Sequence, residues 1–144
     1  MKSSYKVLIV NDKKTLAELK KKILQKLGID SCVLTEKTEI VPDKVVEKLR
    51  SAEYDLVLLD FDLGGHTGID VLRKLRQAKL DVPVLVISAT TPDTPDFREE
   101  LIQEGAIGFM GIPSSPREWE AFPQKILEYL IDNPCLLGSG IRLT

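Results

Sequence analysis

Two aspartates one residue apart, Asp60 and Asp62, close the apolar run Leu56-Val57-Leu58-Leu59 in a stretch that reads LVLLDFDLGG. Carboxylates at the end of a buried-looking strand suit three roles. They can be a nucleophile, ligands for a hard cation, or polar residues where the chain meets water. Another acid, Asp12, follows the run Val7-Leu8-Ile9-Val10 and is preceded by Asn11. A further run ends in Ser88 and Ala89, and another in Ile112 and Pro113. If these runs are parallel strands of one sheet, ligands bind beyond their carboxyl ends, where the strand order reverses. Asp12 and Asp60 would then project into one crevice. Converging carboxylates repel unless a cation neutralises them, and an incomplete cage of hard oxygens suits Mg2+. A carboxylate beside such an ion can attack phosphorus, and Ser88 offers a hydroxyl to a phosphoryl oxygen.

Placing these residues together is the task of the elements around them. Five short apolar runs recur, at residues 7–10, 31–35, 56–59, 82–87 and 107–112. Their apolar positions are consecutive rather than alternating, as in strands covered on both faces. Helical patterns fill the gaps. Leu16, Leu19, Ile23 and Leu27 form a stripe, with Thr15 and Glu18 as a capping box and Lys20-Lys21-Lys22 as a solvated face. Pro42 opens a second helix carrying Val45, Val46 and Leu49. Ile69, Leu72 and Leu75 mark a third, with Arg73, Lys74 and Arg76 outward; Phe97, Leu101 and Ile102 mark a fourth, closed by Gly105. Ser115-Pro116-Arg117-Glu118 starts a fifth, whose stripe is Trp119, Phe122, Ile126 and Leu130 and whose Pro123 should kink it or delay its start. Repeated strand–helix alternation implies one α/β domain with a parallel sheet and helices on both faces. After about residue 132 the pattern stops, and residues 132–144 read as a tail or the start of a linker.

The chain has 144 residues, 43% of them hydrophobic and 29% charged, which suits one globular domain rather than a disordered chain. A net charge of −2 and no longer basic block than the three lysines argue against nucleic-acid binding by this chain. No apolar stretch reaches membrane-spanning length and no signal peptide is evident, so a cytoplasmic setting is expected. Two distant cysteines, Cys32 and Cys135, and the single His66 offer no structural zinc spacing. Cys32 reads as a small buried hydrophobe, Cys135 as a tail residue, and His66 as an exposed residue in a glycine-rich loop.

The ordered motifs VLIVND, LVLLDFDLGGHTG, PVLVISAT and GAIGFMGIP resemble the receiver domain of bacterial two-component response regulators, over residues 5–131. The resemblance implies a flavodoxin-like (βα)5 fold with strand order 2-1-3-4-5. It implies that Asp60 is the phosphoacceptor. Asp12 is then a Mg2+ ligand, with Asn11 in the adjacent acidic position and the Asp62 backbone carbonyl completing the metal site. Ser88 takes the switch hydroxyl position and Phe109 the switch aromatic. The implied partner is a sensor histidine kinase or phosphotransfer protein, and the face formed by helix four, strand five and helix five could pair with a second copy. The chain would not be an enzyme beyond handling its own aspartyl phosphate.

Four features depart from the pattern. The family ends strand five in Lys-Pro, and here Ile112-Pro113 stands instead, with Lys125 too far into the fifth helix to replace the lysine. Asn11 takes the place of an acid. Gly64-Gly65 occupies a loop where proline is common, and the loop at 90–95 carries two prolines. A second reading therefore keeps the fold without the phosphorylation, as a pseudo-receiver that binds partners unmodified. A third takes DFDLGG as the Asp-x-Asp motif of haloacid-dehalogenase-like phosphatases. That motif belongs on a first strand, with a lysine and a downstream acidic pair that are missing here.

Overall fold

The computed structural model describes residues 4–35, 42–88 and 94–133. The expected features at Ala89, in most of the 90–95 loop, at Cys135 and in most of the tail lie outside them. Five strands alternate with five helices: β1 (Tyr5–Val10), α1 (Lys14–Gln25), β2 (Ile29–Leu34), α2 (Pro42–Ser51), β3 (Leu56–Asp60), α3 (Gly68–Gln77), β4 (Val84–Ser88), α4 (Pro95–Gln103), β5 (Gly108–Gly111) and α5 (Pro116–Asp132). All neighbouring pairs are parallel, in the order β2-β1-β3-β4-β5. The expected fold and strand order are the ones found.

Side chains alternate across the sheet with the two-residue period of a strand and sort into two apolar layers. Leu8 and Val10, Val57 and Leu59, Val84 and Val86, and Phe109 pack under α2, α3 and α4. Val7 and Ile9, Leu56 and Leu58, and Leu85 and Ile87 pack under α1 and α5 with Ala17, Leu24, Phe122, Ile126 and Leu130. Coverage on both faces explains why Val7 to Val10 are all fully buried.

Helix α1 differs from its expected form. It begins at Lys14 with Lys13 as N-cap and no side-chain cap, so Thr15 lies within the helix and caps nothing. Its buried residues are Ala17, Lys20 and Leu24, whereas Leu19 and Leu27 are exposed. The inward face is thus turned by about one residue, near 100°, from the expected stripe. Leu27 falls beyond the helix end in the turn that Gly28 (φ +73°) completes, which lets β2 start at Ile29. In α4, Leu101 is buried but Ile102 faces solvent. Helix α5 starts at Pro116, as the Ser115 cap predicts, and Pro123 lies inside it without delaying that start: Ser115 Oγ accepts from the Glu118 N–H at 3.2 Å.

Candidate functional site

Parallel pairing brings the ends of β1, β3, β4 and β5 to one edge of the sheet. Val10 pairs with Leu59, Asp60 with Ile87, and Ser88 with Gly111. Beyond these pairs the Phe61 N–H donates to the Ile87 carbonyl at 2.9 Å and the Ile112 N–H to the Ser88 carbonyl at 3.1 Å. Asp12, Asp60, Ser88 and Ile112 therefore stand at adjoining strand ends. Phe109 is two residues back from the end of β5, 1% exposed.

Each acid is held differently. Asn11, 1% exposed, donates its N–H to the Leu34 carbonyl at 3.1 Å, and its Oδ1 accepts from the Lys13 N–H at 3.0 Å. That Asx geometry turns the chain from β1 into α1 and sets Asp12 at the crevice. Asp12 Oδ1 is buried, and no hydrogen-bond donor reaches it among the described residues. A buried carboxylate oxygen without a donor is costly unless a cation sits against it.

Asp60 is half-buried and accepts a hydrogen bond from the Asp62 backbone. Burial is the main force that pushes its carboxyl up from the ordinary 3.8 to about 6, opposed by Lys20 and assisted by Asp12 and Asp62. Asp62 has an exposed side chain and pairs in an antiparallel bridge with Thr67. The loop between them is closed by Leu63 N–H to His66 O at 3.0 Å and Gly68 N–H to Phe61 O at 2.8 Å. Gly64 (φ +74°) supplies the left-handed turn, and a Cβ on Gly68 would come within 3.4 Å of the Phe61 Cα. Thr67 and Asp70 form a capping box that starts α3. His66 is only partly exposed, its Nδ1 3.9 Å from Asp70 Oδ2.

One residue at the site escaped the sequence. Lys20 is 2% exposed, the only buried basic side chain among the described residues, and its charge acts on Asp60. Burial lowers its ammonium from the ordinary 10.5 to about 8, against the pull of Asp60. Ile112 is half-buried and packs into the same α1/α5 layer.

On the opposite face a line of rings leaves the site. Phe61, the residue after Asp60, meets Phe97 of α4 edge to face at 5.0 Å, and Phe97 meets Phe109 of β5 at 5.2 Å. The Arg98 guanidinium lies over Phe109 at 5.8 Å. Trp119 is partly buried against Phe122, 5.5 Å between centroids. Cys32 is partly buried and packs on the α2/α3/α4 layer.

Among the described residues no helix is long and apolar enough to cross a membrane. No set of three or more acidic, His or Cys side chains among them is grouped as a metal cage.

Residues 7–121 match the response regulator receiver domain family. The DNA-binding response regulator MtrA of Mycolicibacterium paratuberculosis is 36% identical over 134 residues, 93% of this chain and 56% of that protein. The phosphate regulon transcriptional regulatory protein PhoB of Pseudomonas aeruginosa is 30% identical over 121 residues, 84% of this chain and 51% of that protein. The chain thus spans about half the length of these relatives. The signal receiver domain of a putative Luxo repressor protein from Vibrio parahaemolyticus shares the fold, with a TM-score of 0.75 at 22% identity over 98% of this chain and 99% of that one. A CheY-like receiver domain protein from Methanospirillum hungatei does so with a TM-score of 0.72 at 20% identity, over 91% and 97%. The chain belongs to the response regulator receiver domains, the receiver modules of two-component signal transduction.

Proposed function

We propose that Asp60 accepts a phosphoryl group from a sensor histidine kinase or phosphotransfer protein, and that the acyl phosphate changes which partners the chain binds. The observation that carries this reading is the pairing of Asp60 with Asp12, whose buried Oδ1 has no donor among the described residues. An Asp60 oxygen attacks the phosphorus of a phosphohistidine. As the O–P bond forms, the P–N bond breaks and its electron pair stays on the imidazole nitrogen, which takes up a proton. Ser88 donates its hydroxyl to a phosphoryl oxygen. Asp12, Asp60 and the Asp62 backbone carbonyl would hold Mg2+, which when bound offsets negative charge on the phosphoryl oxygens. Two side-chain carboxylates and one backbone carbonyl would leave the remaining positions of such an ion to waters, as Mg2+ prefers. Asn11 is left out of this set because its Oδ1 already accepts from Lys13.

The chain is then no enzyme on a separate substrate; its chemistry is confined to its own aspartyl phosphate, in the cytoplasm. Added charge at Asp60 is read through the Phe61, Phe97 and Phe109 rings at the face formed by α4, β5 and α5. A groove of about 370 Å³ lies there between Arg98, Met110, Lys125 and Tyr129, open to a partner or a second copy. A DNA-binding output, such as the name of MtrA states for that protein, would be carried by sequence outside these residues.

Ile112 favours a second reading, the pseudo-receiver, since an apolar side chain fills the family's lysine position. Intact-mass spectrometry after incubation with Mg2+ and acetyl phosphate separates the two. One phosphoryl adduct on the wild type, absent from Asp60→Asn, supports the phosphoacceptor. No adduct on either chain leaves partner binding without phosphate.

A further inference from the structure

We propose that Lys20 of α1 supplies the phosphoryl-binding cation that Ile112 does not, reaching the site from the other flank of the same face. This deepens the phosphoacceptor reading and rests on it.

Three geometric facts converge. First, Asp60 continues the phase of Leu56 and Leu58, whose side chains enter the layer beneath α1 and α5. Ile112 packs into that layer from β5, and Lys20 enters it from α1 between Ala17 and Leu24. The vacated lysine position and Lys20 thus approach Asp60 across one face, from opposite sides. Second, Cα–Cβ bonds in a helix lean toward its N-terminus. The N-terminus of α1 follows β1 directly, so Lys20 leans toward the strand ends where Asp12 and Asp60 stand, from about 9 Å down the helix axis. Third, lysine is among the least favourable residues to bury, yet Lys20 is 2% exposed beside apolar neighbours. An aliphatic residue would fit its place between Ala17 and Leu24 if packing were the only demand. The charge set against that burial is Asp60, which offsets part of its cost.

A compact ammonium on a flexible stem suits a site whose charge changes. Before transfer it faces the Asp60 carboxylate. Afterwards the acid oxygen is esterified to phosphorus, and the ammonium donates instead to the new phosphoryl oxygens. No atom of Lys20 is exchanged in the step.

Four folded proteins test this: wild type, Asp60→Asn, Lys20→Met, and Lys20→Met combined with Ile112→Lys. Each is incubated with Mg2+ and acetyl phosphate and the adduct is followed by intact mass, with thermal melting as a check on folding. Lys20→Met keeps the stem's shape and should melt no lower than the wild type. Its rate of adduct formation should fall about tenfold to a hundredfold, as when one charged donor is removed from a phosphate-binding site. Ile112→Lys in that background should restore the rate to within about threefold of wild type, because the charge returns from the other flank. A Lys20→Met rate equal to wild type overturns the role of Lys20 and leaves Asp60 as phosphoacceptor. A slow Lys20→Met rate that Ile112→Lys does not lift also overturns it, since the defect then lies in α1 packing. If the wild type forms no more adduct than Asp60→Asn, the phosphoacceptor reading and this inference fall together.

Discussion

Lys20 and Asp60 oppose each other's burial penalties: the ammonium of one is lowered to about 8 and the carboxyl of the other raised to about 6, each against the attraction of its partner. Both shifts disfavour the charged form. The pair therefore makes folding harder at neutral pH than the same fold without charges. An unfavourable burial of this kind fits a site kept for chemistry rather than for stability.

The first prediction concerns Asp60 alone. A carboxyl whose folded pKa is raised above its unfolded value contributes most favourably below about pH 3.8, and that contribution is lost as pH rises through about 6. Asp60→Asn should thus be more stable than wild type above pH 6 and equal to it near pH 4. The full shift corresponds to about 3 kcal/mol, which solvent screening of a half-exposed group reduces to about 1–2 kcal/mol. Urea titrations at pH 4 and pH 7.5, without divalent ions, measure the difference. A variant less stable at pH 7.5 would contradict the sign.

Lys20→Met carries the mirror-image prediction. An amine whose folded pKa is depressed weakens the fold below about pH 8, and the penalty fades as pH rises toward 10.5. Removing it should stabilise the protein at pH 7 by about 1–3 kcal/mol, with little gain at pH 10. In a double-mutant cycle, Asp60→Asn should then stabilise more in the Lys20→Met background than in wild type, because the carboxylate has lost its counter-charge. Equal effects in both backgrounds would show that the two groups do not couple.

Much of this arrangement is legible in the residues, and the rest is hidden for a physical reason. Consecutive apolar runs such as Val7 to Val10 announce strands covered on both faces, and parallel pairing then fixes which residues end side by side. That is enough to bring Asp12, Asp60 and Ser88 to one edge. The phase of α1 is different. Leu16, Leu19 and Ile23 compete with Ala17 and Leu24 for the inward face, and the leucine-rich stripe looks stronger. Packing against α5 and β2 selects the other phase and carries Lys20 inward with it. Thr15 and Glu18 mislead likewise: their spacing fits a capping box, but the Asn11 side chain has already turned the chain and α1 starts before them. No local signal marks a lysine within a run of three as the buried one.

The third prediction tests how Asn11 serves the crevice. Its Oδ1 accepts from the Lys13 N–H, a bond that an aspartate oxygen would keep. Asn11→Asp should leave the β1–α1 turn intact while adding one negative charge beside Asp12. Mg2+ affinity should rise about tenfold, because each added carboxylate strengthens a hard-cation site. Without metal the same charge should lower stability by about 1–2 kcal/mol through repulsion from Asp12 and Asp60. Isothermal titration and urea unfolding read the two effects. Tighter Mg2+ binding without loss of metal-free stability would mean the new carboxylate is already neutralised.

The fourth prediction follows the rings that join the site to α4 and β5. Phe97 sits between Phe61 and Phe109, edge to face with both, at interplanar angles of 82° and 89°. Such pairs contribute about 0.5–1.5 kcal/mol each beyond the area they bury. Phe97→Leu keeps most of the apolar volume but removes both ring contacts, so unfolding free energy should drop by about 1–3 kcal/mol. Phe61→Leu removes only one and should lose about half as much. Combined, the two should cost less than their sum, because the Phe61 contact is already gone once Phe97 is leucine. If the losses add fully, the rings pack independently, and the path from Asp60 to β5 must run instead through the Ser88 carbonyl and the Ile112 N–H.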